Sequence, residues 1–72
     1  MEKDVHAAIE IHKLNTQAYP DSANPYDSLA DAYEASGEIA LAIKSYEKVL
    51  ERDPEMDSAI EGLKRLKTAS EN

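Results

Sequence analysis

The chain has 72 residues with 8 Lys and Arg against 15 Asp and Glu, a formal net charge of −7, so it holds one small domain and not a multidomain enzyme. That acidic balance lacks the electrostatic footprint a phosphate backbone demands and argues against nucleic acid as a partner. With no cysteine there is neither a disulfide nor a thiolate for zinc or nucleophilic chemistry. Helix packing or association must therefore stabilise a chain of a size that buries only about 60% of its extended surface.

The opening Met1-Glu2-Lys3-Asp4 is charged and no apolar run follows it, so nothing there reads as a signal peptide. No segment approaches the roughly 20 apolar residues that cross a bilayer, and a cytoplasmic location is expected if the chain is complete as given. Prolines at 20, 25 and 54 and glycines at 37 and 62 divide the sequence into four stretches of helix-forming composition. The first, about Lys3 to Ala18, carries Val5, Ala8, Ile9, Ile11, His12 and Leu14 mostly at three- and four-residue steps, an amphipathic pattern. Tyr19-Pro20 ends it, because a proline disfavours helical backbone at the residue before it.

The second helix is expected to start with Asn24 as cap, Pro25 at the first helical position and Asp27 three residues after the cap. Its apolar positions are Tyr26, Leu29, Ala30, Ala32 and Tyr33, and Gly37 supplies a left-handed stop. The third runs from about Glu38 to Arg52 with a stripe of Ile39, Ala42, Ile43, Tyr46, Val49 and Leu50, closed by Asp53-Pro54. The fourth, about Asp57 to Thr68, sets Ala59, Ile60, Leu63 and Leu66 opposite Glu61, Lys64, Arg65 and Lys67, with Glu61 to Arg65 as an i,i+4 pair. Residues 69–72 have no apolar anchor and are expected to fray. Short loops return successive helices antiparallel, so the predicted fold is all-α, a stack of about four helices in hairpins. The expected core is Ile9, His12, Tyr26, Leu29, Tyr33, Ile39, Ala42, Ile43, Tyr46, Val49, Leu50, Ile60 and Leu63.

Pro20 and Pro54 stand 34 residues apart, and the same step maps Ala8-Ile9 onto Ala42-Ile43, His12 onto Tyr46 and Tyr26 onto Ile60. Residues Ala23 to Met56 resemble one complete tetratricopeptide repeat, a helix-turn-helix unit of that period. Tyr26, Leu29, Ala30, Tyr33, Gly37, Ala42, Tyr46, Val49 and Pro54 fall in register. Ala30 stands where Gly is common in the family, and Val49 where Ala is common. The resemblance implies an α-solenoid over residues 1–72 as a single domain. Residues 3–18 form the second helix of a partial repeat, 23–56 the full repeat and 57–68 a capping helix.

The family's first helix lines a concave groove that receives partner segments, which implies a non-catalytic protein-interaction module with Asn24, Asp27, Asp31, Glu34 and Ala35 facing the groove. Asp27, Asp31 and Glu34 follow i, i+4, i+7 and form an acidic ridge. Members that clamp acidic C-terminal tails present Lys, Arg and Asn at comparable positions, so a partner here is expected to be a basic or polar segment. The bland alternative is a solvated face that keeps an acidic chain soluble.

A narrower resemblance rests on His12-Lys13-Leu14-Asn15, Tyr19-Pro20-Asp21-Ser22-Ala23-Asn24, Tyr26-Asp27-Ser28-Leu29-Ala30 and Asp31-Ala32-Tyr33. This run is similar to the tetratricopeptide tail at the C-terminus of some bacterial serine hydrolases related to penicillin-binding proteins and esterases. It implies a structural or assembly tail with no free partner, and no Gly-x-Ser-x-Gly is present. A third reading is a self-associating scaffold, a homodimer through the face of helix 3–18 that lacks its partner helix. No cofactor is expected. His6, Glu10 and His12 invite a metal, but His12 lies about 600° around the helix from His6, so the three do not converge. Ser, His and Asp lack the strained turn and oxyanion hole that hydrolysis needs, and Tyr26, Tyr33 and Tyr46 read as core.

Overall fold

A computed structural model describes residues 5–70. They form α1 (Val5–Ala18), α2 (Ala23–Ala35), α3 (Ile39–Arg52) and α4 (Asp57–Ser70), with no strand among the described residues. Each helix packs on its neighbour in the chain, α2 on both α1 and α3, and α3 on α4, so the fold is all-α, a tetratricopeptide-like stack of antiparallel hairpins. No helix among the described residues is long and apolar enough to cross a membrane.

The helix ends follow from backbone satisfaction. α2 starts two residues earlier than its cap signal suggests: Ser22 is the N-cap, extended at φ −97 and ψ 138 and making no side-chain cap bond. Asn24 is therefore not the cap and Pro25 is the third helical residue, which corrects the expectation drawn from that dipeptide. The position costs nothing, because the first four N–H groups of a helix have no intrahelical acceptor to lose. At the other end Gly37 takes φ +85. Its N–H donates to the Glu34 carbonyl at 3.0 Å, and the Glu38 N–H reaches the Tyr33 carbonyl at 2.9 Å, the paired bonds of a Schellman stop. α3 closes at Asp53, whose N–H donates to the Val49 carbonyl at 2.8 Å. Arg52 donates from Nε to the Pro20 carbonyl at 3.0 Å, tying the end of α3 to the α1–α2 turn. α4 continues to Ser70, so Ala69 and Ser70 are helical where fraying was expected, while Lys3, Asp4, Glu71 and Asn72 lie outside the described residues.

Ile9, Leu29, Ala30, Tyr33, Ala42, Tyr46, Val49, Ala59 and Leu66 are buried and form one cluster. The three alanines have no exposed surface, which marks the closest backbone approaches. Tyr26, Ile39, Ile43, Leu50 and Leu63, expected inside, are half-buried against this cluster; Ile60 and His12 are half-buried too. The shift in α4 has a steric cause. The ring of Tyr46 lies on Gly62, where an added Cβ would come within 2.5 Å of Cζ, so α4 turns its Ala59-Gly62-Leu66 edge inward and leaves Ile60 and Leu63 at the margin.

Candidate protein-interaction face

The acidic side chains of α2 project at one-turn intervals, and each is met by a group from α3 or α4. Asp27 accepts the Ser58 hydroxyl on both carboxylate oxygens at 3.1 Å. Asp31 accepts the Tyr46 hydroxyl at 2.7 Å. Glu34 accepts Arg65 bidentately, from Nε at 2.9 Å and Nη2 at 2.8 Å, the planar fork that makes guanidinium–carboxylate pairs directional. The Ser58 and Arg65 bonds both span 31 residues, so α2 and α4 run side by side in the same direction and are laced at two levels. Asn24 and Ala35, the remaining two expected groove positions, are exposed at the two ends of the ridge.

The local fields follow from these contacts. Burial pushes the Asp27 carboxyl above its usual range, against the lowering effect of the Ser58 hydroxyl, and the neighbouring Asp31 raises it further. The Arg65 hydrogen bonds hold Glu34 below its usual range, against a smaller effect of burial. Burial, then the bond to Asp31, raises the Tyr46 hydroxyl far out of the physiological range, so it stays a neutral donor. Only Glu34 faces a cation. Asp27 and Asp31 are bonded to neutral hydroxyls with no cation paired to either among the described residues, and each carboxylate retains lone pairs for a further donor.

Three of these groups escape a reading of the sequence. Ser58 gives no signal of its own, the Tyr46 hydroxyl is masked by its core position, and Arg65 reads as the partner of Glu61. The structure sends Arg65 across to Glu34 instead. The equal 31-residue offset of the two cross-links is the one clue the sequence offers, and it emerges only once α2 and α4 are known to lie together. Elsewhere, Glu10 pairs with Lys13 at 3.6 Å and the Nδ1 atom of His12 is buried without a hydrogen-bond partner. His6, Glu10 and His12 are not brought together, and among the described residues no three of His, Cys, Asp and Glu are placed to hold a metal ion.

No curated protein and no solved structure matches the chain. The hairpin of α2 and α3, the turn between them and the acidic ridge along α2 all lie in residues 23–56, and this segment matches the tetratricopeptide repeat family.

Proposed function

We propose that residues 1–72 act as one non-catalytic interaction domain whose α2 ridge, Asn24, Asp27, Asp31, Glu34 and Ala35, receives a basic or polar segment of a partner protein. The repeat match carries the general reading, since such repeats serve as protein-binding modules. The charge that survives internal bonding supports the finer one: only one of the three ridge carboxylates meets a cation. A basic segment is attracted to the two left over, whereas an acidic tail meets like charge, which costs affinity.

Asp31→Asn separates charge from geometry, because an amide oxygen still accepts the Tyr46 hydroxyl. We expect a fluorescent lysine-rich peptide to bind the parent more tightly at low salt, and its affinity for Asp31→Asn to fall by about threefold to tenfold, the range of a partly screened surface charge. Equal binding of acidic and basic peptides, or no change in the variant, overturns this reading. The lacing of all three carboxylates to α3 and α4 favours one alternative, a purely structural role, which the resemblance to the tail of a bacterial serine hydrolase would give it. That reading predicts that no peptide of any charge binds and that the parent gene carries an upstream Ser-x-x-Lys.

A further inference from the structure

The two outer helices of the stack differ in chemistry. α4 is one-sided. It buries Ala59, Gly62 and Leu66, and the residues two positions on, Glu61, Lys64 and Thr68, are polar and exposed; a two-residue step is about 200° around a helix, so these point away from α3. That is the polar outer face of a terminal cap. α1 is two-sided. It buries Ile9 and Thr16, yet the opposite side carries Ala7, Ile11, Leu14 and Ala18, all exposed, with Ile11 and Leu14 at 58% and 63%. A helix apolar on both sides is built to be covered on both.

We infer that the covering element is α1 of a second copy, packed antiparallel about a two-fold axis between His12 and Lys13. Three observations select this occupant. The stripe is palindromic: its steps are four, three and four residues and its sizes run small, large, large, small. An antiparallel pair therefore sets Ile11 against Leu14 of the second copy and Ala7 against Ala18, the self-complementarity an isologous contact requires. The spacing is also that of a coiled-coil seam. Charge agrees with it: the only Lys, Arg, Asp or Glu side chains in Val5–Ala18 are Glu10 and Lys13, which pair with each other, so two copies of net charge −7 meet where neither helix carries net charge. α4 supplies the third point, because the side it turns away from α3 is polar at Glu61, Lys64 and Thr68, with Ile60 and Leu63 half-buried at its margin, so it matches the α1 stripe less well than a second α1 does and disfavours an open head-to-tail chain. Helices about 21 Å long give a small interface, of the class that associates weakly and reversibly. The inference is independent of what the α2 ridge binds.

Sedimentation equilibrium of the full chain over a hundredfold concentration range tests it. We expect the mass to rise from 8.0 kDa to a plateau at twice that value. Leu14→Lys, on the solvent side of α1, should keep the parent's circular dichroism and weaken association by about a hundredfold, since each dimer holds two copies and each is about a factor of ten. Register is read by oxidising an equimolar mixture of Ile11→Cys and Leu14→Cys chains, which should give mostly the mixed disulfide. A monomer at every concentration, a mass that climbs past the plateau, or a preference for Ile11→Cys and Leu14→Cys homodisulfides each overturns the inference.

Discussion

Tyr46 joins the core to the acidic ridge. Its ring is 1% exposed and rests on Gly62, while its hydroxyl leaves the core to bond Asp31, the arrangement by which a large amphipathic ring is buried without stranding its polar end. Truncation to alanine is expected to cost about 3–5 kcal/mol, most of the stability available to so small a domain. Gly62 allows a sharper test. Glycine inside a helix is about 1 kcal/mol less favourable than alanine, yet a Cβ here would sit 2.5 Å from the Tyr46 ring, and overpacking costs about 1–3 kcal/mol. Gly62→Ala should therefore destabilise the parent, but stabilise the Tyr46→Ala chain, where the ring is gone and the gain in helix propensity remains. Urea midpoints of the four chains in this cycle measure the sign change, and a Gly62→Ala effect of equal sign in both backgrounds rules the packing account out.

The lacing of α2 to α4 makes a prediction at the level of elements, because its two carboxylates are shifted in opposite senses. Glu34 is lowered, chiefly by Arg65. Its ionised form is favoured by folding, so its contribution is fully present above the unfolded carboxyl range and is lost as pH falls through the lowered folded value. Asp27 is raised, chiefly by burial. Its ionised form is disfavoured by folding, so at neutral pH it subtracts stability, and the loss is relieved as pH falls through the raised folded value. Glu34→Gln should thus lower the urea midpoint at neutral pH, and only slightly, because solvent screens so exposed a pair. Asp27→Asn, which still offers an oxygen to Ser58, should raise it or leave it unchanged. Once pH has fallen below the lowered Glu34 value, where both carboxyls are protonated, the two variants should converge on the parent. Variants that shift the midpoint in the same direction at neutral pH contradict this pairing of causes.

Across the whole molecule, the four helices and the repeat are legible from the spacing of apolar residues and from two prolines one period apart, because periodicity reports which side of a helix is covered. It does not report which neighbour covers it. Hence Ala59 and Leu66 displace Ile60 from the expected core, and Arg65 reads as bound to Glu61 when it bridges to Glu34. The cap signal at Asn24 misled for a local reason, since proline is as harmless at the third helical position as at the first. The acidic ridge is visible as a spacing, but its internal partners depend on the side-by-side placement of α2 and α4. Charge at this scale leads to the last prediction. A net charge of −7 on 72 residues repels itself in the compact state, and the ion pairs seen among the described residues, Glu34 with Arg65, Glu10 with Lys13 and Lys48 with Glu51, lie at the surface, where such pairs are weak. Salt screens both, but repulsion acts between every pair of excess carboxylates within about 10 Å and outweighs these exposed pairs. Raising ionic strength from about 0.02 M to about 0.5 M should lift the melting temperature by about 4–8 °C, the shift that about 1 kcal/mol produces in a domain of this size. A melting temperature that falls with salt would place the ion pairs, and the lacing of α2 to α4 among them, ahead of self-repulsion in holding the stack together.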